Sequence, residues 1–473
     1  MHPTFVRKVI LPLLMRGTWP RVVRLRRDLE ASQWWPRERV LEEQWRKVQG
    51  LLRRAEEQSP FFGERLAAAG LSAAGIQSPE NLEGIPPLEK AELQEARERI
   101  LCRDADRARL TMSATGGTTG EPTRYYWDDD YWCASSAVTL RAYGMAGFEM
   151  GDRHCMVWGT AFHSSRRAAW METLQQRLKN VLVVPGFELS RDTLAFWTDR
   201  VRRQRPVLVE GYTSLLVLFA TWLLEEGIED IRPRAVISSA EKLHDFQREL
   251  IGEALGAPVF DRYGSREVGC IAHECREGRG LHVNSEHVYV EIVRGNEKVP
   301  PGESGEILVT CLSNQVFPFI RYRIGDMGTL VEEPCPCGRG LPLLKLTEGR
   351  THDLLTTSRG TWLPGEFFPH LMKEFPGVAA FQVHQAADLS VTVRLVTTAA
   401  FSPEQEAAMR REVEKALGPG IPVTYERVSE IPRTASGKLR FTVSEVPVDL
   451  ARGSAARAAS ESEEEPGEGG KGP

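Results

Sequence analysis

Apolar residues early in the chain recur at helical spacing. Between 37 and 57, Leu41, Trp45, Val48, Leu52 and Ala55 share one face and Arg and Glu the other, which predicts an amphipathic scaffold helix. From about 130 to 260 the pattern changes. Short β-branched runs appear as VLVV (181–184), PVLVEGY (206–212) and RAVISS (234–239), separated by longer helical stretches at 213–226 and 241–255. Strand alternating with helix predicts βαβ units and a largely parallel sheet, whose ligands gather beyond the carboxyl ends of the strands. Between 286 and 330, HVYVEIV and EILVTCL flank the turn PGESG and predict a strand-rich subdomain. Beyond 350, runs at 379–385, 389–396 and 422–428 and a helix at 403–417 predict a small α+β unit. After about 449 the chain turns to Ala, Ser, Gly and Glu, which bury too little apolar surface to order. The expected organisation is a large α/β N-terminal domain over 1–349, a small α+β domain over 350–448 and a disordered acidic tail over 449–473.

Length and charge narrow the picture. A chain of 473 residues exceeds one ordinary core. The net charge of −5 is mostly the tail, because positions 461–473 hold five glutamates and one lysine. The body is near neutral, so no general attraction to nucleic acid follows. No apolar run of about 18 residues exists, so no membrane span is expected. VILPLLM (9–15) is too short for a secretory signal and is followed by five arginines between 16 and 27. It reads as a packed N-terminal arm, with a membrane-surface helix as the alternative. Eight cysteines in a chain this long do not make a disulfide scaffold, and a cytoplasmic location is expected.

Four segments carry candidate chemistry. SATGGTTGEPT (113–123) lets backbone N–H groups and Thr hydroxyls approach an anion, and no G-K-[ST] follows, so it is not a Walker A loop. DRYGSREVG (261–269) offers a ring for a base, a small hydroxyl and a carboxylate for Mg²⁺. FPFIRYRIGDMG (317–328) sets Asp326 in a Gly turn, where a carboxylate accepts both hydroxyls of a ribose. IPRTASGKLRF (431–441) puts Lys438, a mobile point charge suited to phosphate, in a Ser-Gly loop. A separate constellation joins Cys275 and His282 of HECREGRGLHV to Cys335 and Cys337 of CPCGR. Three thiols and an imidazole suit a closed structural Zn²⁺ site, with free buried thiols as the alternative and Cys270 and His273 as nearby rivals for ligand positions. Cys102, Cys133, Cys155 and Cys311 read as small core residues. His154 and His163 read as packed or surface histidines. Trp127, Trp132 and Trp158 are candidates for an aromatic-acid pocket, core packing being their commoner use.

Together and in this order, the four segments resemble the adenylate-forming superfamily of acyl-CoA synthetases and adenylation domains, in its phenylacetate-CoA ligase branch with the capsule-biosynthesis-like members. The resemblance runs from about 35 to 447. It implies that Thr115, Gly116, Gly117, Thr118, Thr119 and Gly120 form the phosphate loop, with Thr118 among the catalytic groups. Ala240 and Glu241 border the adenine, Tyr263 stacks on it, and Gly264 and Ser265 lie on the phosphate side. Glu267 is the Mg²⁺-linked carboxylate, Asp326 the ribose aspartate, Arg350 the arginine near the hinge and Lys438 the lysine of adenylate formation. Two positions depart from the pattern: His352 stands at the hinge and Arg266 where Thr is common. The resemblance also associates zinc with the Cys/His segments, and His154 and His163 with the border of the acyl pocket. It implies ATP, Mg²⁺ and a carboxylic acid as reactants, a small mobile C-terminal lobe, and coenzyme A as acceptor. A carrier protein or an amine is the alternative acceptor, and a non-catalytic nucleotide-binding relative the more distant reading.

Overall fold

Helix α1 (Arg37–Gln58) buries Val40, Gln44, Val48, Leu51, Leu52 and Ala55. The buried stripe is centred about one residue earlier than the spacing predicts. Leu41 is therefore 41% exposed, whereas Trp45 packs at the margin. The computed structural model describes residues 1–114, 124–158, 166–186, 191–348, 354–359, 362–365, 367–372, 374–375, 377–398, 400–431 and 441–446.

The alternation between 130 and 260 builds the expected parallel sheet. Helix α2 (Asp129–Met145) precedes strands β1 (His154–Trp158), β2 (Val181–Pro185) and β3 (Leu208–Tyr212). Helix α3 (Thr213–Glu225), β4 (Ala235–Ser239), helix α4 (Asp245–Leu255) and β5 (Val259–Ser265) follow. Pairing is parallel from β2 through β1, β3 and β4 to β5. Helix α4 starts four residues later than the apolar pattern suggests, because His244 caps it together with Gln247. Helix α3 is buried almost all round (Leu215, Leu216, Leu218, Phe219 and Leu223) and packs on the sheet with Val209 and Val236.

The sheet then turns antiparallel through β6 (Gly269–Glu274), β7 (Leu281–Val283), β8 (Val288–Arg294), β9 (Gly305–Cys311), β10 (Phe319–Val331) and β11 (Leu343–Glu348). Among the described residues one continuous sheet of twelve strands results, including the short strand Glu297–Lys298, in the order Glu297–Lys298, β8, β9, β10, β11, β7, β6, β5, β4, β3, β1, β2. Toward the C-terminus, Val378–Gln385, Val391–Thr397, Val423–Arg427 and Thr442–Ser444 form a separate four-stranded sheet. Its core joins Phe381, Val383 and Val393 to Met409 and Val413 of the helix Pro403–Leu417.

Where β5 gives way to the antiparallel strands, His287 is fully buried between Val268 O (2.7 Å from Nε2) and Ser313 Oγ (2.8 Å from Nδ1). Burial pushes its pKa down to about 4. An unfolded histidine takes up a proton near pH 6.5 while this one stays neutral. Stability is therefore present above the unfolded value and lost as pH falls toward 4. For this one group the loss approaches about 3 kcal/mol by pH 4. His287→Asn is expected to flatten the fall of the urea midpoint between pH 6.5 and 4.5, although it lowers the midpoint at pH 7. An unchanged slope would refute the assignment.

Candidate functional site

Two of the chemistry-bearing segments, 261–269 and 317–328, meet where β5 outruns β4. The pairing ends at Ser239 opposite Arg262, so Tyr263 to Ser265 project past the carboxyl end of the parallel strands. β5 turns back tightly into β6, with Ser265 opposite Gly269, and Ser265 Oγ accepts from Val268 N at 3.3 Å. Glu267 sits in this turn, 8% exposed, and its Oε1 accepts from the Tyr322 hydroxyl at 3.1 Å. The Tyr131 hydroxyl of α2 donates to Glu267 O at 3.2 Å.

Asp326 completes the group from β10. It lies inside the strand and not in a Gly turn as the sequence suggests. Leu308 pairs with Arg323 and Glu306 with Met327, so three residues, 324 to 326, oppose Ile307 alone. Such a bulge re-aims a side chain, and Gly325 at φ +86° supplies the conformation it needs. Asp326 Oδ2 accepts from the Tyr263 hydroxyl at 2.9 Å. Its Oδ1 is buried and has no hydrogen-bond partner among the described residues. A buried carboxylate oxygen left unpaired is costly, and a ligand hydroxyl would satisfy it. β10 and β5 are separated by β11, β7 and β6, four strand spacings of about 4.8 Å on a flat sheet. The 2.9 Å contact therefore requires the sheet to curl strongly between them.

The strands that flank the Gly/Thr segment meet the same place. Strands Thr111–Ala114 and Arg124–Trp127 pair antiparallel, Ala114 opposite Arg124, so 115–123 is their connection. Arg266 Nη1 donates to Ala114 O at 3.3 Å, and the Tyr125 hydroxyl donates to Arg266 O. The departure at Arg266 thus ties the 261–269 turn to the start of the Gly/Thr connection. Thr115, Gly116, Gly117, Thr118, Thr119, Gly120, Arg350, His352, Lys438 and His163 lie outside the described residues. At the end of β4, Ala240 takes φ +70°, a strained value for a side chain with a Cβ. The Glu241 carboxylate caps α3, accepting from Ser214 N at 2.6 Å and Ser214 Oγ at 2.9 Å, where the helix dipole favours an anion.

Gly264 holds the turn together. A Cβ built there would sit 2.4 Å from Gly269 O across the hairpin. Gly264→Ala is expected to pry β5 from β6 and displace Tyr263 and Glu267. Whatever activity the site carries should fall at least about tenfold while the fold survives, read as kcat/KM against the unfolding midpoint. A variant as active as the parent would show that the hairpin yields without moving either residue.

Tyr322, Tyr131 and Tyr125 escape the sequence reading. Only the alternation of IRYRIGD places Tyr322 on the same strand as Asp326, and nothing local links it to Glu267. A second buried group also escapes it: His154 Nε2 lies 3.2 Å from Glu210 Oε2, and the Tyr143 hydroxyl donates to Glu210 Oε1 at 2.6 Å. Burial alone would raise the Glu210 carboxyl, but His154, Arg262 and Tyr143 outweigh it and hold the pKa low. Trp127 donates to Ser113 Oγ at 2.9 Å, Trp158 packs on Tyr212, and Trp132 packs in the cluster of Met150 and Cys133.

The thiols pack in a different cluster from Tyr263. The ligand atoms of Cys275, His282, Cys335 and Cys337 all lie within 4.8 Å of one another. Cys275 Sγ is 3.6 Å from Cys335 Sγ, and Cys337 Sγ is 3.4 Å from His282 Nε2. Thiolates on a tetrahedral Zn²⁺ at about 2.3 Å lie about 3.8 Å apart, so the donor set fits. Burial holds the Cys275 thiol up at about 12 and His282 down at about 4. Cys337 is also raised by burial, but the Arg339 backbone and guanidinium with the neighbouring thiols outweigh it and lower its pKa. The rivals are engaged elsewhere: Cys270 contacts Asn284 Nδ2 and His273 Nδ1 contacts Glu274 O.

Residues 355–445 match the CapK C-terminal domain. Phenylacetate-coenzyme A ligase of Thermus thermophilus is 24% identical over 441 residues, covering 86% of this chain and 96% of that protein. Protein CapK of Staphylococcus aureus is 22% identical over 392 residues, covering 82% and 85%. In structure, 2-hydroxyisobutyryl-CoA ligase in complex with 2-HIB-AMP and CoA superposes at a TM-score of 0.61 with 20% identity, covering 89% and 92%. The chain therefore has the fold of the adenylate-forming enzymes. Within that fold its relatives in sequence are phenylacetate-CoA ligases and CapK, as the four segments led one to expect.

Proposed function

We propose that this chain activates a carboxylic acid with ATP as an acyl-adenylate, releasing pyrophosphate, and then passes the acyl group to coenzyme A. The observation that carries the reading is the Tyr263–Asp326 pair beside Glu267, with Asp326 Oδ1 buried and unpaired. An unpaired buried acceptor at the carboxyl edge of a parallel sheet suits a ribose hydroxyl. Tyr263 then lies against the base, bordered by Ala240 and Glu241, with Gly264 and Ser265 toward the phosphates. Because the Glu241 side chain is occupied by α3, that border is formed mainly by backbone.

The substrate carboxylate attacks the α-phosphorus; its O–P bond forms as the bond to pyrophosphate breaks, so no protein nucleophile is needed. Protein groups orient the reactants and spread the developing charge. Thr115 to Gly120, with Thr118 and Lys438, serve the phosphates. Mg²⁺ held by Glu267 would draw charge from them. Arg350 and the 350–448 lobe are assigned to the turn that withdraws Lys438 and admits the acceptor. We assign Cys275, His282, Cys335 and Cys337 to a structural Zn²⁺; four protein ligands leave no open position for catalysis. None of the eight cysteines forms a disulfide, which supports a reducing, cytoplasmic setting. No helix among the described residues is long and apolar enough to cross a membrane.

The test is ATP–pyrophosphate exchange across a panel of carboxylic acids, aryl acids first, followed by product analysis with coenzyme A, a carrier protein and amines. At least one acid should support exchange, and coenzyme A should yield the thioester. Lys438→Ala should lower exchange about ten- to a hundredfold. No exchange with any acid would sink the enzyme reading, and exchange without thioester would move the acceptor to another class.

A further inference from the structure

The chain holds seven Lys and Arg in its first 27 positions and no Asp or Glu. This arm is helical over Pro3–Phe5, Val6–Ile10 and Leu11–Leu14, and Trp19–Ser32 follows. Its inner face is settled: Val6 and Leu11 are buried with Val22, Cys133 and Met150. Arg7 Nε donates to Met150 O at 2.7 Å, and Asn180 Nδ2 donates to Met1 O at 3.0 Å. The arm is thus docked, as the sequence suggests.

Its outer face is uncovered among the described residues. Phe5 (49%), Val9 (38%), Leu13 (52%) and Leu14 (41%) are exposed, beside Met1 (50%). A spacing of four drifts around an α-helix, but the wider i→i+5 turn over Val6–Ile10 offsets the drift and keeps Phe5, Val9 and Leu13 in line. Lys8, Arg16 and Arg24 are exposed along the arm, and none has an ion pair among the described residues. A stripe of large apolar side chains flanked by unpaired cations is the build of a helix that lies in a bilayer interface.

We infer that this arm seats the protein on a membrane surface containing anionic phospholipid, with Phe5, Val9 and Leu13 entering the acyl boundary. Lys8, Arg16 and Arg24 then meet the lipid phosphates. A second copy of the chain is a poorer occupant, since a two-fold contact would set the same unpaired cations against themselves. The acidic tail at 461–473 complements the charge but brings no large apolar side chain to cover the stripe. An anionic bilayer satisfies both features, and the cytoplasmic leaflet carries that charge.

The full chain should be sedimented with vesicles of phosphatidylcholine alone and with equal parts phosphatidylcholine and phosphatidylglycerol, at low and high salt. Binding is expected to the anionic vesicles only and to weaken steeply with salt. Phe5→Ser/Val9→Ser/Leu13→Ser should lower the partition coefficient about tenfold or more. Lys8→Gln/Arg16→Gln/Arg24→Gln should do likewise, and both variants should keep the parent's unfolding midpoint. The proposal is overturned if the parent binds neither vesicle, if it binds neutral vesicles equally well, or if either variant binds like the parent. A concentration-dependent dimer abolished by the serine variant would assign the face to a second copy instead.

Discussion

Glu267→Gln is expected to lower ATP–pyrophosphate exchange by about two to three orders of magnitude, whatever acid proves best. The substitution keeps the shape and the hydrogen bond from Tyr322, but removes the charge that would hold Mg²⁺ against the phosphates. Unfolding should hardly change, because Glu267 sits in a turn and its backbone contact with Tyr131 is retained. Two companions separate charge from position. Tyr322→Phe deletes one hydrogen bond, so a loss of about fivefold is expected. Asp326→Asn should act on nucleotide binding, raising KM for ATP about ten- to a hundredfold with kcat less affected, because it weakens charge-assisted bonds to the ribose. Raising Mg²⁺ should partly rescue Glu267→Gln but not Asp326→Asn. If Glu267→Gln exchanged at the parental rate over a Mg²⁺ series, the metal role would belong elsewhere.

Cys335→Ser is expected to take bound zinc from about one per chain to nearly none and to lower the unfolding midpoint by roughly 5 °C or more. The four ligands come from segments up to 62 positions apart, and Cys275, Cys335 and Cys337 pack with Val40 and Trp35 at the start of α1 and with Leu341 and Leu343. The ion would therefore clip the N-terminal scaffold helix to the entry of β11. Its loss leaves buried thiols and an imidazole without their common partner. Chelation of the parent should reproduce the fall. Cys270→Ser is the control, since Cys270 lies outside the cluster, and it should keep its metal. Metal analysis alongside thermal unfolding reads both effects. Zinc-free protein of parental stability would leave the thiols as ordinary core residues. Exchange measured well below the unfolding midpoint should survive in Cys335→Ser, because none of the four ligands belongs to the 261–269 turn that carries Tyr263 and Glu267.

Much of this molecule is legible from its chain. The alternation of β-branched runs with helices anticipates β2, β3 and β4 and a largely parallel sheet, because each strand and helix draws on side chains within a few residues. The helix Pro403–Leu417 and its flanking strands fall where the periodicity puts them, helped by the Ser402 cap. The chemical types at 261–269, 317–328 and 275–337 are equally local and were readable as types. Where the local reading slips, the cause is a contact it does not contain. Leu41 is exposed because packing selects the stripe through Val40 and Gln44, and α4 begins late because of its cap.

Tertiary structure decided which of these types meet. Asp326 reads as a turn residue from its Gly neighbours, yet it is a bulge in a 13-residue strand. That bulge and the curl of the sheet bring its carboxylate 2.9 Å from Tyr263, 63 positions away. Tyr322 reaches Glu267, and four ligand atoms gather around one point, for the same reason. The N-terminal arm makes the division plain. Its sequence contains both a packed arm and a surface helix, and only docking on Cys133 and Met150 decides that Val6 and Leu11 are buried while Phe5, Val9 and Leu13 are exposed. Periodicity determines that a segment has an apolar face; the register of distant strands and the shape of the neighbouring surface determine what that face meets.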